Sequence, residues 1–268
     1  MRIVICSLFL WVFASFGLAQ DSPQAPEPAV QVRALTIVAS DLPEADRQRI
    51  EDSLQGETYS LEELSERVRQ NLRDLGYYSA HAESPQLASI SEAPLPRSAD
   101  VSIQVKPGAQ YRLGQIAFQG ATVFPPDQLR RQFPIEAGSL FNATRVGKGL
   151  EALRDLYLEK GYVNFGAMPL PRIDEVRRVI DLTIDVDEGN RYDFGRLILD
   201  GVEPRVGTAK ALLAAWTSLQ GKPYNPQLLA KWLAANAPFL NHPANMPDQV
   251  TAHQDQAAGQ IDIQLELP

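Results

Sequence analysis

The chain repeats one pattern of hydrophobic and polar positions. In its clearest copy, Tyr111 and Leu113, and then Ile116 and Phe118, alternate with other residues in the way typical of a half-buried strand. Gly114 breaks the phase between these pairs, which predicts a bulge. The same order of aromatic, apolar and glycine positions returns 81 residues later (192 − 111) at Tyr192–Gly201, and without the glycines at Val30–Ile37.

Two helices are predicted after the strand of each copy. In the first copy Pro43–Leu54 holds a short helix, and Ser60 with Glu63 forms a capping box before an apolar stripe that Gly76 ends. The second copy has a starting Pro126, a capping Asn142 and a terminal Gly161. The more divergent third copy has a helix at Thr208–Ser218 and another that starts at Asn225-Pro226.

Two further strands complete each copy. The second strands are predicted at Tyr77–Ala82, at Val163–Ala167 and near Val250. Pro85–Pro96 is predicted to be a loop, and Pro169 and Pro171 are expected to end strand pairing. Clean alternation predicts the third strands at Val101–Val105, Ile180–Val186 and Ile261–Leu265.

This order predicts an α+β fold of three tandem β-α-α-β-β domains, at 30–108, 109–189 and 190–268. Each domain is expected to be a three-stranded mixed sheet covered by two helices. The two helices bring the chain back so that the second strand runs antiparallel to the third, and the third lies parallel to the first. The expected strand order is first–third–second, which leaves the second strand at an edge.

The N-terminus has the pattern of a targeting segment. Arg2 precedes an apolar run at Ile3–Phe16, and small residues before the expected cleavage after Ala19 predict a signal peptide at 1–19. The alternative is an uncleaved anchor, although the run is shorter than a spanning helix requires. Residues 20–29 are predicted to be a proline-rich linker. Cys6, the only cysteine, lies in the signal peptide, so disulfides and thiolate chemistry are excluded from the mature chain.

Composition narrows the function classes. The 268 residues are 44% hydrophobic and 22% charged, which is typical of a globular protein. A net charge of -8 and a pI of about 5.0 argue against a nucleic-acid partner.

No catalytic or ligand-binding constellation stands out. Asp185, Asp187 and Glu188 begin like a calcium loop but lack its remaining ligand spacing, which favours a solvated hinge turn. Gly147–Gly149 lacks the spacing of a phosphate loop and lies in a helical stripe. The three histidines share no metal-ligand spacing; they are His81, His242 and His253. We therefore expect no enzyme activity, no cofactor, no metal and no small-molecule substrate.

Three motifs resemble those of POTRA (polypeptide-transport-associated) domains. They are the strand at Tyr111–Phe124, the helix end at Leu156–Tyr162, and the turn at Val186–Gly189 that leads into Tyr192. The resemblance is to the periplasmic part of the surface-antigen family of outer-membrane barrel assembly factors. It implies a periplasmic location, possible association with the outer membrane, and the binding of unfolded outer-membrane polypeptides or assembly subunits through sheet edges. Since the sequence shows no barrel region, we expect a stand-alone array or a shortened relative that could dock on a separate barrel.

The candidate sites follow from this resemblance. Edge strands can add a peptide strand because their backbone groups are unpaired. The candidate edge residues are Tyr77, Tyr78, Ser79, Val163, Asn164, Phe165, Ala167 and Val250, and the candidate inter-domain hinges are Pro107, Gly108, Glu188 and Gly189. The leading hypothesis is a protein-interaction module in outer-membrane protein assembly, insertion or secretion. The alternative is a structural envelope spacer that binds no client.

Overall fold

The computed structural model describes residues 29–91, 97–201, 206–240 and 250–267. The predicted signal peptide, the predicted linker up to residue 28, and His242 lie outside these ranges. The described chain forms three sheets, each with its own hydrophobic core. We refer to them as the first unit (30–106), the second unit (112–187) and the third unit (193–267).

The second and third units have their elements in the order strand, helix, helix, strand, strand, and the first unit has two additional short strands. The first unit contains β1 (Val30–Val38), α1 (Glu44–Leu54), β2 (Thr58–Tyr59), α2 (Leu61–Asp74), β3 (His81–Ala82), β4 (Gln86–Ser91) and β5 (Ser98–Lys106). The second contains β6 (Arg112–Gln119), α3 (Pro126–Arg130), α4 (Ala143–Leu158), β7 (Gly166–Asp174) and β8 (Val179–Asp187). The third contains β9 (Asp193–Gly201), α5 (Val206–Trp216), α6 (Pro226–Ala235), β10 (Val250–Asp255) and β11 (Gln260–Leu267).

The sheet topology confirms the predicted strand order. The second sheet has the order β6-β8-β7 and the third the order β9-β11-β10. In each, the first strand is parallel to the central strand and the remaining strand is antiparallel to it. In the first unit β5 is central, β1 is parallel to it, and β3 and β4 both pair with its other side. The first sheet has five strands instead of the predicted three, because β2 pairs with β1 and two segments, β3 and β4, pair with β5. The architecture is otherwise the predicted α+β fold.

The bulge predicted in the first strand of the second unit is present, and an aspartate of the neighbouring strand forms a hydrogen bond with it. Beside Gly114 the register of β6 shifts, and Asp181 Oδ1 accepts a hydrogen bond from the N–H of Gln115 at 2.9 Å. A Cβ on Gly114 would overlap that carboxylate, which explains the glycine. In the third unit the buried Asp262 accepts from the N–H of Arg196 at 2.6 Å. The phase break in the sequence therefore corresponds to a bulge that is stabilised by a hydrogen bond to an aspartate.

Helix starts follow the predicted caps. The side chain of Ser60 accepts from the N–H of Glu63 at 3.1 Å, and Asn142 accepts from the N–H of Arg145 at 2.8 Å. Asn225 caps α6 in the same way. No helix in the described ranges is both long and apolar enough to cross a bilayer.

The second strands differ from the sequence prediction. Tyr77–Ser79 and Val163–Phe165 lie in turns and irregular chain, and the strands begin later, at His81 and Gly166. Part of the predicted loop at 85–96 forms β4. Pro169 and Pro171 do not end pairing: they lie inside β7, opposite Ile184 and Leu182. An edge strand tolerates proline wherever the missing N–H would have faced away from the sheet.

Candidate functional site

A glycine at the end of the main helix joins each unit to the next. Gly76 and Gly161 adopt φ values of 90° and 91°, a region that favours glycine. The carbonyl of Gly76 accepts from the N–H of Tyr111 at 2.8 Å, and that of Gly161 from the N–H of Tyr192 at 2.9 Å. Each glycine thus ends a helix and also holds the first residue of the following unit.

The residues after these glycines form the junctions between units. Against the sequence prediction, they do not lie on an exposed sheet edge. Tyr78 packs on the core of the second unit, with its ring edge-on to Phe141 at a centroid distance of 5.3 Å. Val163 packs in the same way on the core of the third unit. Ser79 and Asn164 lie closest to the linker glycines Gly108 and Gly189.

Tyr77 and Phe165 belong to the cores of their own units. Tyr77 is buried in the first core, and its hydroxyl donates to Asp46 at 2.8 Å. Phe165 stacks on Tyr157, with ring centroids 4.3 Å apart and an interplanar angle of 18°. Of the predicted edge residues, only Ala167 and Val250 lie in edge strands, β7 and β10.

Glu188, a predicted hinge residue, accepts hydrogen bonds from three residues of the second unit and so stabilises it. Its carboxylate accepts from the N–H groups of Thr122 and Val123 at 2.8 and 2.9 Å, and from the Tyr157 hydroxyl at 2.7 Å. Burial alone would raise the pKa of Glu188. The hydrogen bonds, with that of the Thr122 hydroxyl the strongest, outweigh burial and lower the pKa to about 2. Bending at Pro107-Gly108 and at Gly189 stays a prediction.

The first junction carries a contact that the second lacks within the described ranges. The Asp74 carboxylate, at the end of α2, accepts from the N–H of Thr144 at 2.8 Å and from its hydroxyl at 2.7 Å. Thr144 lies in the first turn of α4, where a negative charge stabilises a helix. The Asn142 amide also donates to the Asp74 carbonyl at 3.0 Å. The first junction is therefore stabilised by hydrogen bonds from Thr144 and from Asn142 to the same residue, Asp74.

Replacing Asp74 with alanine is expected to loosen the first junction. The substitution removes an anionic cap from α4, an interaction of roughly 1 kcal/mol, and should change the relative orientation of the first two units in residual dipolar couplings. Glu159→Ala is the matched control, because Glu159 is the C-cap of α4 but its side chain makes no hydrogen bond or ion pair with the described residues of the third unit. Unchanged couplings in the Asp74 variant would show that the cap does not hold the junction.

A groove of about 510 Å³ lies between α4 and β7 in the second unit, beside the first junction. Its described lining is mostly apolar, and its polar side chains are Arg73 of α2 and Tyr78. The prolines of β7 form part of one wall, and Gly147 of α4 leaves open space, since no atom lies within 4 Å of the position of its missing Cβ. The groove can hold apolar side chains next to the edge of the sheet.

In each sheet, a strand that runs antiparallel to the central strand lies at an edge: β4, β7 and β10 each pair with one neighbour only within the described residues. Exposed apolar side chains accompany two of them, including Ile90 at 55% and Met168 at 64% exposure. The described residues contain no group of three or more side chains suited to hold a metal ion. The geometry therefore supports contacts with a polypeptide through backbone groups and apolar surface.

Comparison with known proteins identifies the second unit. Residues 111–189 match the family model POTRA, described as a surface antigen variable number repeat. The second unit thus matches the POTRA family model. Across 89% of the chain, the fold is similar to the crystal structure of Haemophilus influenzae BamA POTRA3-5, of which it covers 96%, with a TM-score of 0.58 and 16% identity. The three units thus share the fold of consecutive POTRA domains.

Two curated relatives are outer membrane protein assembly factors named BamA. The one from Buchnera aphidicola is 23% identical over 176 residues, and the one from Neisseria meningitidis is 26% identical over 140 residues. These matches cover 64% and 48% of this chain but only 28% and 17% of the relatives. The chain therefore corresponds to a limited part of each relative's length.

Proposed function

We propose that this chain is a periplasmic POTRA-repeat protein that mediates protein–protein interaction in outer-membrane protein assembly, insertion or secretion. It binds extended polypeptides or partner subunits by adding their strands to its sheet edges. The observation that carries this proposal is the exposed edge strand that every unit presents, at β4, β7 and β10.

Three further observations support the proposal. The POTRA match and the names of the two relatives point to outer-membrane protein assembly. The sequence pattern of residues 1–19 is that of a secretory signal, which fits a periplasmic location. The groove beside β7 offers room for the side chains of an extended segment that approaches the sheet from that side.

A structural spacer is the second candidate function. The hydrogen bonds at both junctions favour it, because a spacer must hold its units at fixed distances. A spacer requires the junctions but not the edges. The two functions therefore differ in whether the edge strands touch other polypeptides in the cell.

In-cell photocrosslinking separates the two functions. A photoreactive amino acid replaces one exposed edge residue at a time: Ile90 in β4, Met168 in β7 or Thr251 in β10. Asp52, on the exposed side of α1, is the matched control position. We expect adducts with outer-membrane polypeptides or an assembly partner from at least one edge and not from position 52. Equal labelling at all four positions, or none at any, would favour the spacer.

A further inference from the structure

The hairpins of the second and third units have the same register. Asp174 pairs with Val179 across the turn of the β7–β8 hairpin, and Asp255 pairs with Gln260 across that of the β10–β11 hairpin. Each residue of one pair lies 81 positions from its counterpart. The two edge strands can therefore be compared residue by residue, and backbone groups at matched positions point in the same direction.

The prolines of β7 fix that direction. β7 pairs with β8 without interruption from Gly166 to Asp174, including at Pro169 and Pro171. Because proline has no N–H, it fits such a ladder only where the N–H would point away from the neighbouring strand. Alternate residues of β7, at 167, 169, 171 and 173, thus face the free edge. Two of these four positions cannot donate to an added strand.

β10 contains no proline, so it keeps a backbone N–H donor at every position that matches one of the four outward-facing positions of β7. Val250 pairs with Leu265 and Ala252 with Ile263, which are the counterparts of the pairs formed by the two prolines. The N–H groups of Val250, Ala252 and Gln254 therefore face the free edge. β10 pairs continuously with β11 and contains no proline and no bulge.

The corresponding edge of the first unit is interrupted. β3 and β4 are separate segments along β5, and the register of β4 shifts between Leu87 and Ser89. Bulges, breaks and prolines are devices by which proteins prevent their edge strands from pairing with other chains. Of the three edges formed by the strands that run antiparallel to the central strands, those of the first and second units carry such a device. β10 has a complete row of donors and acceptors.

We infer that β10 is the edge of this protein that receives an added strand, whereas β4 and β7 are protected against strand addition. The inference rests on the proposed function and narrows it to one site. The partner is an extended polypeptide segment that pairs through its main chain, so its backbone N–H groups must be free at alternate residues. The second unit contributes side-chain contacts through its groove instead.

The test introduces into β10 a proline at the position where β7 already contains one. Ala252→Pro places proline at the register that Pro171 occupies in β7, so the fold should tolerate it while one central donor of the β10 edge is lost. Ala252→Val is the control that keeps the N–H. The probe is a fluorescein-labelled peptide of alternating threonine and valine, titrated against the full chain by fluorescence anisotropy. We expect binding to weaken about tenfold in the proline variant and to be unchanged in the valine variant.

Two further arms make the result decisive. A probe that is N-methylated at alternate residues should not bind, because its side chains are intact but its pairing edge is blocked. The double variant Pro169→Val/Pro171→Ala should gain a second binding site on β7. Equal binding by Ala252→Pro and wild type, or by the methylated probe, would overturn the inference, as would the absence of peptide binding to the wild type. Crosslinking in the cell could still succeed in that case, which separates this inference from the proposed function.

Discussion

Replacing Gly161 with valine is expected to separate the third unit from the second and to lower the free energy of unfolding by more than about 3 kcal/mol. Gly161 has a φ of 91°, which costs a β-branched residue roughly 1–2 kcal/mol or more. A Cβ at this position would also overlap the carbonyl oxygen of Tyr192. The backbone of the junction must therefore move, and the hydrogen bond between Tyr192 and Gly161 is lost with it.

Gly138→Val is the matched control for this prediction. Gly138 has a similar φ of 82°, but no atom lies within 4 Å of the position of its missing Cβ. Urea unfolding of the two variants separates backbone strain from the junction overlap, and small-angle scattering detects a displaced third unit. The prediction is wrong if both variants lose the same stability and keep the scattering profile of the wild type.

Replacing Glu188 with alanine is expected to destabilise the second unit by roughly 2–4 kcal/mol, because hydrogen bonds to a charged group are each worth about 1.5–3 kcal/mol. The substitution leaves the N–H groups of Thr122 and Val123 and the Tyr157 hydroxyl without their acceptor. Denaturant unfolding at neutral pH, followed by the aromatic signal of Tyr157, measures the loss. A loss below about 0.5 kcal/mol would mean that water replaces the carboxylate.

The same carboxylate gives the stability a defined pH dependence. The pKa of Glu188 is about 2 in the folded chain and near its ordinary value of 4.5 in the unfolded chain. The unfolded state therefore binds the proton first, so this contribution is fully present above pH of about 4.5 and is lost as the pH falls towards about 2. Glu188→Gln should flatten the acid limb of the stability curve, whereas Asp185→Asn, at an exposed neighbouring position, should not. A curve for Glu188→Gln that is parallel to the wild type would refute the assignment.

The fold was accessible from the sequence because its signals are local and recur. The phase break at Gly114, the capping residues Ser60 and Asn142, and the return of the pattern after 81 residues all predict features that the structure confirms. These features depend on neighbours in the chain or on a bulge whose glycine is visible. The strand order then follows from the connections between the elements.

The role of the Gly-Tyr segments was not accessible in the same way. The sequence shows that Gly76 and Gly161 end helices, but their partners Tyr111 and Tyr192 lie at the start of the following units. An aromatic residue after a helix stop has the same local pattern whether it begins an edge strand or packs on another unit. Only the contact of Tyr78 with Phe141 distinguishes the two.

The prolines of β7 show a different reason for error. Proline usually ends pairing, because the direction of its missing N–H depends on which side of the strand has a neighbour. That direction is set by the sheet and is not encoded locally. Comparison of the repeats did contain a signal, since Pro169 and Pro171 align with Val250 and Ala252 at the common spacing.

The central claim is that an extended polypeptide pairs with β10, and amide hydrogen exchange tests it most directly. The N–H groups of Ala252 and Gln254 are followed by NMR in the full chain, with and without an unfolded outer-membrane polypeptide. We predict that exchange at both positions slows when the polypeptide is present, while exchange at Ala167 and Ile173 of β7 is unchanged. Unchanged exchange in β10, together with slower exchange in β7, would contradict the account.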